Sequence, residues 1–378
     1  MIKAQVSTFD DWIDLFQEWK KDIGYDEKTF KRFLPNYKLE PKYEALKYNE
    51  IEFGDFRGDR KWERVLDIPN QGIRDALQQL IVFQGDTEFA SVEQQRYLVD
   101  RAPSDYDLYA LMRINAEEMR HGWQMSHILV THFGDAGRKE AMKLLERRAF
   151  EQKRLLGSFN EVMENWLDLY TYTEFIDRDG KFQLKMLSHS AFMPLSMSMN
   201  PMLKEESFHL GTGNNGLKRI IKAGKIPVEI IQKYFNKWVP TAYDLFGTDN
   251  SSNAHWAYVW GLKGRFNEHE TDEEVQKDKL NQLARDLYIA EISKLVEDMN
   301  TLIPREMPKL IVPDVKFNRS IGLHAKQPYT VDGRLLSEEQ YKTYRETVLP
   351  TDKDRELLKD IFKENDWIEF KPFKGAEA

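Results

Sequence analysis

Cysteine is absent from all 378 residues. Disulfides, thiolate nucleophiles, Cys-ligated zinc and self-contained iron–sulfur clusters are excluded with it. Any redox metal must be held by histidine and carboxylate, and its electrons must come from another protein or a soluble cofactor. Long hydrophobic runs are missing as well. The longest, such as Leu80 to Phe83, fall far short of the ~20 residues of a membrane span. Met1 to Asp11 lacks the basic-then-apolar order of a secretory signal. The expected location is the cytoplasm, with no membrane partner. There is no surplus of positive charge: 55 Lys and Arg against 63 Asp and Glu leave −8. That argues against a general nucleic-acid binder but leaves room for a local basic pocket.

What is present is enough to build a large core. Apolar residues make up 41%, with 22 Phe, 16 Tyr and nine Trp, so disorder is not expected. The pattern predicts an all-α protein. Residues 1–70 read as an N-terminal helical extension, with helical spacing from Phe9 to Ile23. A strong helical pattern runs from Gln71 to about Glu140. It breaks at Pro103 and Ser104, where Ser104 is the expected N-cap of a second helix and Asp107 lies three residues on. A further helix is expected from about Ala141 to Ile176, a turn at Asp177-Arg178-Asp179-Gly180, and a fourth helix from about Ser188 to Leu210. More helices are expected over 217–303. The tail, 311–378, reads as an extension packed on the bundle. A strand is expected at Val315 to Ala325, a hairpin-type turn at Val331-Asp332-Gly333-Arg334, and short helices near Ser337–Glu346 and Lys353–Asn365.

The informative residues are acids and histidines on helix faces that should be apolar. Leu111, Ile114, Glu118, His121, Met125 and Ile128 recur every three or four positions, and so do Leu195, Met199, Met202, Glu206, His209 and Gly213. Each stripe holds a Glu-x-x-His, which puts both side chains on one face, one turn apart. Leu77, Ile81, Gln84, Glu88 and Val92 form a third stripe. Phe159, Met163, Trp166, Tyr170, Thr173 and Asp177 form a fourth. Glu118 follows Glu88 by 30 positions and Glu206 follows Asp177 by 29, so the chain repeats a lone carboxylate and then a Glu-x-x-His.

Four buried carboxylates cannot all stay ionised without cations between them. Two divalent metals remove the difficulty, and the pattern is that of ferritin-like di-iron and di-manganese bundles. The donor set suits iron or manganese better than copper or structural zinc. The expected arrangement is Glu88 and His121 on one metal, Asp177 and His209 on the other, and Glu118 and Glu206 bridging. The expected cofactor is therefore two iron ions, with manganese as the alternative in either position. The expected domain spans 71–310.

Other signals carry less. Gly211-Thr212-Gly213-Asn214-Asn215-Gly216 matches G-x-G-x-x-G but follows a helix, not a strand, so no nucleotide-binding residue is assigned. Its expected role is to end the fourth helix. His127, His132, His189, His255, His269 and His324 read as core or surface histidines. Lys218, Arg219, Lys222 and Lys225 cluster after the ligand helix. They read either as a solvated face or, for Lys218, Arg219 and Lys222, as contacts to an anionic substrate.

Several segments resemble a known family. They are Gly85-Asp-Thr-Glu88, Ala90-Ser-Val-Glu-Gln-Gln95, Glu117-Glu118-x-Arg-His121, Asp177-Arg-Asp-Gly-Lys-Phe-Gln-Leu184, Met202-Leu-x-Glu-Glu-x-x-His209 and Gly261-Leu-Lys-Gly-Arg-Phe266. The likeness returns at Arg319-x-Ile-Gly322, Asp332-Gly-Arg-Leu-Leu336 and Leu349-Pro-Thr351. Together they resemble the ferritin-like di-iron oxygenases of phenylacetic acid catabolism and benzoyl-CoA epoxidation, over most of 70–352. The resemblance implies the same six ligands. It also implies NADPH- and dioxygen-dependent epoxidation of an aryl acyl-CoA ring, with electrons from a separate reductase. Gln84, one turn before Glu88, is then a candidate donor to the thioester carbonyl.

The chain departs from that pattern in a reduced N-terminus and tail, in tighter connections after Gly216 and around Glu268 to Lys279, and in Phe89, where proline is expected. The alternatives are an amine N-oxygenase on the same di-iron core, a phenylacetyl-CoA-type epoxidase, and a non-catalytic metal-binding or scaffold subunit.

Overall fold

A computed structural model describes residues 6–249, 251–268 and 279–375. Four long helices make the centre. They are α3 (Gln71–Gln95), α4 (Asp105–His132), α6 (Trp166–Leu187) and α7 (Met193–Ala223). Around them lie α1 (Phe9–Asp22), α2 (Glu27–Phe33), α5 (Gly134–Glu146), α8 (Val228–Leu245), α9 (Ser252–Val259), α10 (Leu280–Asn300), α11 (Glu338–Val348) and α12 (Asp352–Ile361). The protein is all-α and its centre is the expected ferritin-like bundle. Among the described residues the only β-features are isolated bridges.

The central helices start where local chemistry can satisfy their first N–H groups. Asn70 caps α3, Ser104 caps α4 as expected, and Asn165 caps α6. Pro194 stands in the first turn of α7, and Gly224 ends it at φ +65°. The most extensive pairings are α3 with α4 and α6 with α7, and α4 also packs on α7. No helix among the described residues is long and apolar enough to cross a membrane.

Several expected elements differ. The helix expected from Ala141 to Ile176 is two helices joined by short 3-10 turns at Ala149–Glu151 and Gly157–Asn160. This irregular segment carries Arg154, whose buried guanidinium reaches Asp86 at 3.1 Å and Glu93 at 2.7 Å on α3. A straight helix would not place it there. Phe159 and Met163 are buried although they lie off the helix.

Asp177 to Gly180 is not a turn but mid-helix in α6. Its turn-like composition is overridden by packing: Asp177 enters the bundle centre, and Arg178 reaches Glu291 on α10 besides Glu174 one turn back. Gly211 to Gly216 does not end a helix, since α7 runs 13 residues past Leu210 to Ala223. Gly213 and Gly216 allow close packing on α6. A Cβ on Gly213 would lie 2.5 Å from the Glu174 backbone nitrogen, and one on Gly216 would lie 2.1 Å from the Tyr170 ring.

The strand expected at Val315 to Ala325 is a series of turns. The turn after it does form, with Gly333 at φ +81° and a single Tyr329–Leu335 bridge. The two short helices of the tail are present, α11 capped by Ser337 and α12 by Thr351. Residues 269–278, with His269 and most of the shortened connection, lie outside the described residues.

Phe89, in place of the expected proline, joins α1 to the bundle. Its ring packs against Trp12, Phe16 and Trp19 and sits over Gly122, where a Cβ would lie 2.6 Å from it.

Candidate metal centre

The four stripes meet. Glu88 comes from α3, Glu118 and His121 from α4, Asp177 from α6, and Glu206 and His209 from α7; all six are buried. One donor atom each from Glu88, Glu118 and His121 falls within 4.8 Å of the others, and the same holds for Glu118, Asp177 and His209. Glu118 therefore belongs to both groups. Glu206 also faces both imidazoles: one oxygen lies 3.5 Å from His121 Nδ1 and the other 3.3 Å from His209 Nδ1. The two imidazole centroids are 6.1 Å apart.

The electrostatics are those of a site short of positive charge. Burial and the carboxylates of Glu88, Asp177 and Glu206 push Glu118 well above its ordinary range, and burial does the same to Asp177. Burial also raises Glu88, but the adjacent His121 outweighs it and holds Glu88 low. The histidines move the other way from a simply buried imidazole. Burial lowers His121, yet Glu88 and Glu205 carry it up to about 9. His209 is likewise raised by Glu206 and Glu117. Asp177 Oδ2, Glu206 Oε2 and His209 Nδ1 have no hydrogen-bond partner, and unpartnered buried donor atoms converging on one space fit a bound metal pair.

Two residues of the site escaped the sequence argument. His121 Nε2 lies 2.9 Å from Glu205 on α7, and His209 Nε2 lies 3.1 Å from Glu117 on α4. Each imidazole thus presents Nδ1 to the centre and gives Nε2 to a carboxylate from the opposite half. Glu205 is in turn held by Arg120 and Lys42, and Glu117 by Arg113. The available signal was the doubled acid in both motifs, Glu117-Glu118-x-x-His121 and Glu205-Glu206-x-x-His209. None of His127, His132, His189, His255 or His324 joins the centre. Tyr43 and His127 pair at 3.0 Å, and His189 pairs with Glu52.

A cavity of about 240 Å³ opens onto Glu88, Glu118, Asp177 and Glu206. Leu80, Phe83, Tyr172, Ile176, Leu187 and Leu245 give it apolar walls. Gln84 lines it and donates to Glu88 Oε1 at 2.6 Å. Lys218, Arg219 and Lys222 do not line it. Arg219 forks onto buried Asp107 at 2.6 and 3.2 Å, and Lys222 stands 3.6 Å from Glu369 at the surface. Lys218 acts electrostatically on Glu174.

An all-α bundle whose two halves each bring a lone carboxylate and a Glu-Glu-x-x-His to one buried centre belongs to the class of helical bundles built to hold metal at their core. Residues 66–324 match the family described as phenylacetic acid catabolic protein, and the chain belongs to that family. It is 37% identical to benzoyl-CoA oxygenase component B of Aromatoleum evansii, a similarity that covers 81% of this chain and 74% of that protein. This kinship makes the chain an enzyme of the oxygenase class.

Proposed function

We propose that the chain is the oxygenase component of a multicomponent enzyme that epoxidises the aromatic ring of benzoyl-CoA or a closely related aryl acyl-CoA. The observation that carries this reading is an apolar cavity opening onto the four carboxylates Glu88, Glu118, Asp177 and Glu206, behind which the two imidazoles lie. In the reaction, dioxygen, two electrons and two protons convert the arene into an epoxide and water. Two iron ions held by Glu88, Glu118, His121, Asp177, Glu206 and His209 would supply the reductive activation of dioxygen. Electrons would come from a separate NADPH-dependent reductase, in keeping with a chain that has no cysteine and with a relative named as one component of a larger enzyme.

The chain's own residues do the rest. The apolar walls exclude water from the ring. At about 240 Å³ the cavity is below the roughly 300–1,000 Å³ of sites for whole drug-sized ligands. It therefore suits the aryl-acyl head, and the nucleotide end of the substrate stays outside. Gln84 has a second amide proton beyond the one given to Glu88 and would offer it to the thioester carbonyl from the cavity wall.

The test is turnover under ¹⁸O₂ with a reductase, NADPH and benzoyl-CoA. The expected product is a ring-oxygenated acyl-CoA carrying one labelled atom from dioxygen. Oxidation of an aromatic amine with no change to any acyl-CoA would replace this reading by N-oxygenation.

A further inference from the structure

Lys263 lines the cavity and is the only Lys or Arg among the described residues that do so. Its Nζ donates to Gln183 Oε1 at 2.6 Å, and Gln183 Nε2 donates to Asp179 Oδ1 at 2.9 Å. Gln183 and Asp179 also line the cavity. The amide of Gln183 is thus engaged at both ends, which sets its orientation and holds the ammonium in place. One of the three N–H donors of Lys263 is used by Gln183, and the others are free to meet a ligand. Burial pushes Lys263 down to about 8, so it remains mainly cationic at neutral pH.

The place of this group along the bundle matters. Gln183 lies six residues beyond Asp177 on α6, about 9 Å along the axis at ~1.5 Å per residue. The segment carrying Lys263 covers the end of the bundle where α3 begins and α6 ends. Gly264 N donates to Met186 O, and Trp260 lies against Gly72. Gln84 is displaced from Glu88 toward the same end, since it precedes Glu88 on α3. The polar cavity groups other than the ligands therefore include a set on one side of the centre, formed by Gln84, Asp179, Gln183 and Lys263. Arg219 and its neighbours sit at the opposite end, beside Asp107 in the first turn of α4.

Donor chemistry narrows the ligand. Lys263 offers donors only and already meets a neutral amide oxygen at Gln183 in a largely apolar cavity, so a second neutral oxygen acceptor matches the setting. We propose that Lys263, held by Gln183, donates to a carbonyl oxygen of the substrate's thioester arm, either the thioester carbonyl or an amide carbonyl beyond it. This deepens the aryl acyl-CoA reading and rests on it.

The experiment is calorimetric titration of iron-loaded protein with benzoyl-CoA and with S-benzyl-CoA, the thioether that lacks the thioester carbonyl. Lys263→Met should weaken benzoyl-CoA binding about ten- to hundred-fold, the range for a hydrogen bond from a charged donor. Metal content should stay unchanged, and Lys263→Arg should restore most of the affinity. If S-benzyl-CoA is unaffected by Lys263→Met, the acceptor is the thioester carbonyl; an equal loss for both compounds assigns it to an amide carbonyl of the arm. Either result supports the proposal.

Unchanged benzoyl-CoA affinity in Lys263→Met overturns it, as does a loss seen only in a Lys218→Ser, Lys222→Ser double variant. Should Lys263→Met not fold, Gln183→Leu takes its place: several-fold weaker binding supports the anchor and unchanged binding removes it. Failure of the unsubstituted protein to bind any CoA thioester would instead remove the substrate reading, and the anchor with it.

Discussion

The imidazoles of the centre are gripped from behind. His121 is held by Glu205 and His209 by Glu117, each across the bundle, and such partners fix ring orientation and raise ligand basicity. Replacing Glu117 or Glu205 by Gln should therefore lower metal affinity by about ten- to hundred-fold, measured by competition with a chelator. Unchanged affinity in both variants would show that the rings need no such support. The bridging assignment has a sharper test. Glu118→Ala or Glu206→Ala should leave at most one metal per chain, and two metals in both variants, counted by elemental analysis, would refute it. The six candidate donors were legible because they share apolar stripes. Glu117 and Glu205 were not, because neighbouring helical residues point about 100° apart. Stripe logic that selects Glu118 must discard Glu117; only the adjacent helix gives it a partner.

Pairing of α6 with α7 depends on residues that looked like a helix terminator. Gly213 and Gly216 let α7 approach the backbone and ring of α6 more closely than any side chain permits. Gly216→Ala should cost roughly 1–3 kcal/mol, the range for overpacking a well-filled core, read as a lower melting temperature. A neutral result would mean that Tyr170 moves freely aside. The same pair carries a pH-sensitive group. Burial raises Glu174 to about 7 despite Arg178 beside it. With its folded value above its unfolded one, the folded state binds more protons, and the stability this contributes is lost as pH rises from about 4.5 to 7. Glu174→Gln cannot ionise and keeps an acceptor for Arg178. Its stability relative to the unsubstituted protein should rise between pH 5 and pH 8, by up to the order of 3 kcal/mol. A flat difference across that interval would place Glu174 in the ordinary carboxylate range.

As a whole the molecule is a metal-bundle oxygenase with no cysteine. The glycine motif of α7 lies within a continuous helix, without the strand-to-helix turn that holds a dinucleotide pyrophosphate. The isolated, metal-loaded chain should therefore not oxidise NADPH at an appreciable rate, and a matching reductase should bring turnover. Spectrophotometric loss of NADPH with the purified chain alone would contradict this. The surrounding helices serve the same centre. α1 stacks Trp12, Phe16 and Trp19 on Phe89, the residue after Glu88. Disrupting that pile should be felt at the ligand.

The sequence by itself determined the fold class, and it singled out the six candidate donors that the bundle brings together, though it put Asp177 in a turn and not in the helix that carries it. Each of these is written locally, in helical periodicity, capping residues, and acids placed where burial would otherwise be costly. It misread Asp177 to Gly180 and Gly211 to Gly216, because the composition of both segments favours turns and only packing on neighbouring helices keeps them helical. Its candidates for an anionic contact, Lys218, Arg219 and Lys222, do not line the cavity, and Lys263 does. Which cation faces a cavity depends on how segments distant in the chain are brought together, and residues 88, 177 and 263 become neighbours of one space only when the bundle closes.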